Sequence, residues 1–462
     1  MPPRIVIVGG GLAGMAAALA LSDKEVEVTL LEAKRCLGGR AGSFDDPLTT
    51  ETVDHCQHVA LGCCIKFLDF CRRTGIASYF RRDRTLRFLS QAGRRCDFTS
   101  SAWLPAPLHL GPAFWGLKFL SWRSRVAVAR SMRALLYRSS SSSDMTTLAW
   151  LHEQRQPAEA IEQFWSIVLV SALGESLERA SVRAARKVLI DGFAANREAY
   201  HLLVPTLPLG ELYEQHVAPY LSGRGVKIRL SAPVSRLLDN GQRITGIELA
   251  SGDTLSAEHV IIALPWRAAT RVLQSSIAAF LSEPWQRIES SPITGVHLWF
   301  DRPVTDLLHA VLVGRLSQWL FARGNGDENV SAAQRHYYQV VISASRMLTG
   351  RLASDVIAEV VSDLQAVFPA SHEARLLQSR VVTQPEAVFS VTPEFEALRP
   401  PQATAIPGLS LAGDWTTTGW PATMESAIRS GYLAANAATV SLGQAADDLI
   451  PDLPRAWLLP RA

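Results

Sequence analysis

The sequence predicts an α/β fold that begins with a parallel sheet, and three observations predict it. A β-rich run, Ile5–Val8, leads directly into Gly9-x-Gly11-x-x-Gly14. An Ala/Leu-rich segment of helical composition then continues to about Leu21. A second apolar run, "VEVTLLEA", carries Glu32 at its end, eighteen residues past Gly14. Strand, tight turn, helix, strand and acid, in that order, make up the Rossmann-like unit that binds dinucleotides.

Each element has its own reason. Gly9 permits the turn, Gly11 lets the backbone approach a pyrophosphate, and Gly14 lets helix and strand pack closely. The helix N-terminus faces the phosphates with free N–H groups. Glu32 is placed to accept hydrogen bonds from the adenosine ribose hydroxyls. Just beyond it, Gly38-Gly39-Arg40 presents an arginine from a short glycine linker, which suits a second, bidentate contact to a pyrophosphate. A plain NAD domain has no evident need of that arginine, so the pattern favours FAD; a solvated loop arginine is the alternative.

The other end of the chain repeats the theme. Leu409–Leu411 reads as a short strand entering a turn at Gly413-Asp414. From about Thr423 the sequence reads as a helix with Met424, Ala427, Ile428, Gly431 and Ala435 on one face. A flavin dinucleotide is long and has two ends to hold. Asp414 fits a ribityl hydroxyl or the pyrophosphate, and the helix N-terminus fits the flavin pyrimidine edge, where negative charge develops on reduction. An ordinary Asp cap before a core helix is the competing reading of this stretch alone.

The 462 residues, 48% of them hydrophobic, suffice for two domains or one large composite domain. A net charge of +3 excludes an obvious nucleic-acid binder. The positive charge is nevertheless concentrated: residues 81–138 hold twelve Lys or Arg against Asp83 and Asp97. All six cysteines (Cys36, Cys56, Cys63, Cys64, Cys71, Cys96) lie in the first hundred residues, and "MPPR" runs straight into the first strand with nothing like a secretory signal. Reduced thiols in a cytoplasmic setting are expected. No C-x-x-C pair occurs and His55 and His58 have only irregular cysteine spacing, so no metal site is expected.

The stretch Trp103–Trp122 is apolar and aromatic but is broken by Pro105, Pro107 and Pro112, too short and too interrupted to span a membrane. With Arg123, Arg125, Arg130 and Arg133 behind it, it fits either insertion into one leaflet or a lid over an apolar tunnel. Arg138–Met145, "RSSSSSDM", reads as a flexible polar loop.

"VGGGLAGMAAALAL…LLEAKRCLGGR" together with "LAGDWTTTGWPATMESAIRSGYLAA" resembles the FAD-dependent amine oxidase and phytoene desaturase superfamily. Within it, "VDHCQHVALGCCIKFLDFCRRTGI", "FWSIVLVSALGESLERAS", "LLVPTLPLGELY" and "TTTGWPATMESAIRSGY" resemble the squalene-associated flavoproteins of bacteria, the hydroxysqualene dehydroxylases of hopanoid biosynthesis. The likeness runs from about Arg4 to Ala437. Two departures stand out: the family's D-N-G-Q-H is Asp54-His55-Cys56-Gln57-His58 here, and the Asn of its S-A-L-N run is Gly174.

The resemblance implies FAD contacts at Gly9, Gly11, Gly14, Glu32, Gly39, Arg40, Val234, Gly413, Asp414 and Met424. Val234 lies in a β region, Val226–Leu264, with a turn at Asn240-Gly241. It further implies a discontinuous FAD-binding domain (1–80, 205–265, 405–440), an inserted α+β substrate domain (81–204, 266–404) and a tail, 441–462. The implied reaction is reductive removal of the hydroxyl of hydroxysqualene to give squalene. Gln57 and His58 are the expected catalytic pair, His58 as the acid that protonates the leaving hydroxyl and Gln57 as an orienting amide. Peripheral contact with the inner face of the cell membrane is expected, and the external electron donor is left open. Alternatives are a carotenoid desaturase running the hydride the other way, an amine oxidase, or a prenyl-binding chaperone of the Rab escort type.

Overall fold

In the computed structural model the described residues are 1–47, 49–137, 145–282, 284–323 and 336–459. Most of the serine-rich loop, residues 138–144, lies outside them.

A five-stranded sheet organises the cofactor half. Its order is Lys227–Arg229, Glu27–Leu31, Arg4–Val8, His259–Ile262, Leu409–Leu411, and all four pairings are parallel. The two neighbouring central strands, Arg4–Val8 and His259–Ile262, are buried on both faces, which is why Ile5–Val8 reads as a continuous apolar run. Register places Val8 beside both Leu31 and Ile262, and Ile262 beside Leu411. The carboxyl ends of the strands therefore lie side by side. The glycine loop, Glu32 and the Gly413-Asp414 turn all leave the sheet at this one edge.

Two helices pack on the sheet. Leu12–Leu21 is buried at every position but Ala20. Against it lies Met424–Ser441, and the approach is so close that a Cβ on Gly431 would sit 2.2 Å from the Ala13 carbonyl oxygen. On the strand side, a Cβ on Gly14 would sit 1.8 Å from the Gly9 carbonyl oxygen, so only glycine permits this helix–strand contact. The expected β region resolves into two uses. Val234–Asp239, Ile244–Leu249 and Thr254–Ser256 form an antiparallel sheet with Gly241 at φ +82° in its first turn. Lys227–Arg229 and His259–Ile262 join the parallel sheet instead.

A seven-stranded sheet dominates the other half, in the order Leu376–Phe389, Ser290–Phe300, Tyr337–Ile342, Trp319–Arg323, His309–Leu312, Thr85–Leu89, Arg95–Thr99. Its strands come from both sides of the cofactor segments in sequence. Helices Trp122–Tyr137, Thr147–Glu153, Ser166–Leu173 and Val182–Leu189 cover a space in front of it. Gly174 ends the third of these at φ +64°, a left-handed C-cap that suits glycine, so the departure from Asn costs no strain.

Among the described residues no helix is long and apolar enough to cross a membrane. The Trp103–Trp122 stretch folds as a 3₁₀ turn, Leu108–Leu110, and a short helix, Gly111–Trp115. It has two sides. Leu110, Ala113, Leu117 and Leu120 are buried, whereas Trp103, Trp115 and Trp122 are exposed at 93%, 48% and 67%.

Candidate active site

At the sheet edge, the glycine loop is shaped by hydrogen bonds to its own surroundings. The Gly10 N–H donates to Glu32 Oε2 at 2.7 Å and the Lys34 N–H to Glu32 Oε1 at 2.8 Å. Glu32 is thus held in place by backbone, with lone pairs left for hydroxyl donors. The Gly38 N–H donates to the Gly10 carbonyl at 2.9 Å, which lays the Gly38-Gly39-Arg40 linker alongside the loop. Val234 follows a segment whose Ala232 N–H donates to the Glu32 carbonyl at 2.8 Å.

Gly11 caps the helix without a side-chain bond, and a Cβ there would find no atom nearer than the Gly38 carbonyl oxygen at 4.0 Å. Gly9 and Gly14 are glycine because protein fills the space; Gly11 is glycine beside open space at a helix N-terminus. That is the arrangement a pyrophosphate needs, with free N–H groups and room for the anion. The residues present therefore fit a dinucleotide.

Arg40 and Asp414, 374 positions apart, form an ion pair. Asp414 is buried and Arg40 about a third exposed. The turn around them is braced: the Gly413 N–H donates to Ser430 Oγ at 2.8 Å, and Ser426 Oγ donates to the Asp414 carbonyl at 3.0 Å. Arg399, which sequence reading missed, donates to the carbonyls of Asp414 (2.9 Å) and Thr416 (3.0 Å). Nothing local marks that bracing role, since the carbonyls it holds lie fifteen and more residues further along the chain. Met424 opens its helix behind the Thr423 cap, whose Oγ1 accepts from the Ser426 N–H at 3.1 Å.

From this edge a cavity of about 680 Å³ runs into the second half of the molecule. Arg40, Gln57, His58 and Trp420–Glu425 line its inner end, Phe88, Phe164 and Phe193 its walls, and Leu108, Trp115 and Arg133 its mouth. The buried side of the Trp103–Trp122 stretch thus lids the cavity. Such a volume lies within the usual range for small-molecule sites, about 300–1,000 Å³. Cys56 also lines it, and burial pushes its thiol up to about 12, so it stays protonated. Cys56 has no left-handed backbone angle, so the loss of the family's glycine imposes no strain there.

His58 is held by Nδ1, 2.8 Å from the Cys56 carbonyl, and Gln57 Nε2 donates to the His58 carbonyl at 3.1 Å. A carbonyl can only accept, so Nδ1 carries a proton and the ring is oriented by it. Burial lowers the imidazole pKa, against the opposing pull of the Asp54 carboxylate and the Cys56 carbonyl.

Known proteins place the chain. The pattern of the flavin containing amine oxidoreductase family matches residues 12–439. A hydroxysqualene dehydroxylase of Zymomonas mobilis is 27% identical over 442 residues, covering 94% of this chain and 98% of that protein. A 15-cis-phytoene desaturase of Synechococcus elongatus is 23% identical over 460 residues, covering 94% and 95%. Among solved structures, an oxidoreductase from Methanosarcina mazei shares the fold with a TM-score of 0.71 at 16% identity, covering 93% of this chain and 98% of its own. The chain belongs to the flavin containing amine oxidoreductase family and is an FAD-dependent oxidoreductase.

Proposed function

From this family membership, we propose that the chain reductively removes the hydroxyl of hydroxysqualene to give squalene. The observation that carries the reading is the cavity: a largely apolar space beside the cofactor edge, lined also by Arg40, Gln57 and His58. We assign FAD to Gly9, Gly11, Gly14, Glu32, Gly39, Arg40, Val234, Gly413, Asp414 and Met424, and read the chain as the discontinuous two-domain arrangement given by the sequence. The separation of a parallel from a largely antiparallel sheet supports that division.

When bound and reduced, FAD would supply a hydride to the carbon that loses its hydroxyl. The protein's own part is to orient the chain-like substrate and keep water out. Loss of the hydroxyl builds allylic cation character, which aromatic walls tolerate and water would intercept. His58 Nε2 accepts from the substrate hydroxyl, with Gln57 beside it.

The substrate dissolves in lipid, and the outer face of the lid suits its delivery. Trp103, Trp115 and Trp122 stand exposed beside Lys118, Arg123 and Arg130. That combination fits shallow insertion into an anionic leaflet, with the cavity mouth at the same place.

The deciding test is anaerobic. Photoreduced protein is mixed with hydroxysqualene in detergent, and flavin absorbance and extracted lipid are followed together. Return of the oxidised spectrum with matching squalene is expected. Oxidised protein that bleaches on phytoene, with no response of the reduced form to hydroxysqualene, would make it a desaturase.

A further inference from the structure

His58 spends its Nδ1 proton on the Cys56 carbonyl, and the charged groups that line the cavity are the other proton sources for a departing hydroxyl. Among the described residues, four charged side chains line it: Arg40, Arg133, Lys187 and Glu425. Arg40 is engaged by Asp414 and also donates to the Ala387 carbonyl at 3.2 Å. Arg133 stands exposed at the mouth. Glu425 accepts from the Phe67 N–H at 2.9 Å and from Arg429 at 3.0 Å, so both its oxygens already serve donors.

Lys187 differs. It projects from the helix Val182–Leu189, and its ammonium lies 4.3 Å from the centre of the Trp420 ring. Asp191, one turn on, takes a hydrogen at 2.9 Å. An ammonium has three N–H bonds; Asp191 and the ring face use two, and the third is free. The group is also held from behind. Arg455 in the C-terminal tail donates to Asp191 at 2.8 Å. The Arg429 guanidinium also lies 5.6 Å from the Trp420 ring centre and pairs with Asp452 of the same tail. Trp420, four residues before the Met424 helix, thus has two cations at its ring, and the partners of both include groups tied to the tail.

We propose that Lys187 is the hydroxyl-recognition and acid residue of this cavity, with Asp191 and Arg455 as positioning residues. The proposal rests on the dehydroxylase reading. As the carbon–oxygen bond breaks, its electron pair leaves on oxygen. A proton from the Lys187 ammonium joins that oxygen, and water departs. The carbon is completed by the hydride already described, and the neutral amine regains a proton from solvent reaching the partly exposed Asp191–Arg455 pair.

The experiment uses oxidised FAD-loaded protein, in which no turnover occurs, and compares the affinity of hydroxysqualene with that of squalene by flavin difference absorbance. A charged hydrogen bond to the hydroxyl gives wild type a preference of roughly tenfold to a hundredfold. Lys187→Met, similar in length but without donors, is expected to lose most of that preference, keeping only what the His58 contact gives, with FAD content unchanged. Lys187→Arg is expected to keep most of the preference yet turn over poorly, because guanidinium does not release its proton. Preference retained in Lys187→Met would overturn the proposal and leave the dehydroxylase reading standing. Absence of any preference in wild type would also overturn the proposal, while the dehydroxylase reading is decided separately by the anaerobic turnover test. Should Lys187→Met fail to hold FAD, Lys187→Ala is read against the same outcomes.

Discussion

The cofactor edge and the substrate cavity meet at Arg40 and Trp420, yet they are built by opposite means. The edge is made of backbone: Gly9, Gly11, Gly14 and Gly413 clear space, and main-chain N–H groups fix Glu32 and the Asp414 turn. The cavity is made of side chains, apolar ones contributed by segments scattered from Arg40 to Glu425. Polar recognition of a fixed ligand demands atoms at set positions, which short glycine-bearing segments supply. Holding a greasy chain demands only enclosed volume, which many combinations of residues can supply.

The largest test of that contrast compares two glycines three residues apart. Gly14→Ala drives a Cβ into the Gly9 carbonyl and should yield little folded protein. Gly11→Ala meets open space at an ordinary φ of −75°, so it should fold with Tm changed by only a few degrees but bind FAD far more weakly. Flavin absorbance per protein and thermal denaturation separate the two. Equal behaviour of both variants would mean that Gly11 faces no ligand.

Removing Phe88 instead probes the wall. Phe88→Ala should cost about 3 kcal/mol of stability and raise KM for the isoprenoid, with FAD content unchanged. Denaturant unfolding and steady-state kinetics measure both. Loss of flavin in this variant would show the two regions to be less separable than their construction implies.

The join itself gives an intermediate effect. Arg40→Met leaves the buried Asp414 carboxylate without its cation and should cost about 2 kcal/mol, reduced from a fully buried pair because Arg40 is partly exposed. Flavin affinity should fall with it, and equilibrium dialysis reads that directly.

The mildest test is pH. Burial depresses His259 at the start of a cofactor-sheet strand and His297 in the seven-stranded sheet, each to about 4. The unfolded chain takes up these protons first. Stability is therefore full above about pH 6.5 and falls as the pH drops towards 4, by up to about 1.4 kcal/mol per pH unit for each group. His297→Gln should flatten the slope by one proton, seen in denaturant midpoints across that window.

How much of this was legible differs between the two regions. The first strand, the glycine loop, the helix to Leu21, Glu32, the turn at Gly413-Asp414 and the helix capped by Thr423 could all be read from short segments. Their signals are local: a period of 3.6 or an apolar run, a glycine where a Cβ would collide, a cap three residues before its partner. The Arg40–Asp414 pair was legible only as two separate residues with related roles. The division of Val226–Leu264 between two sheets was not legible, because parallel strand order depends on long crossovers.

The sequence by itself determined that a dinucleotide is bound, because the loop geometry that accommodates one is set by neighbours in the chain. Tertiary structure alone decided what the cavity contains. His58 Nδ1 was engaged because folding placed it beside the Cys56 carbonyl. Lys187 kept a free donor because Asp191 and Trp420 occupy the rest of its ammonium. Arg399 braced a turn fifteen residues away. Each of those roles is an electrostatic environment, and an environment exists only once distant segments have closed around the group.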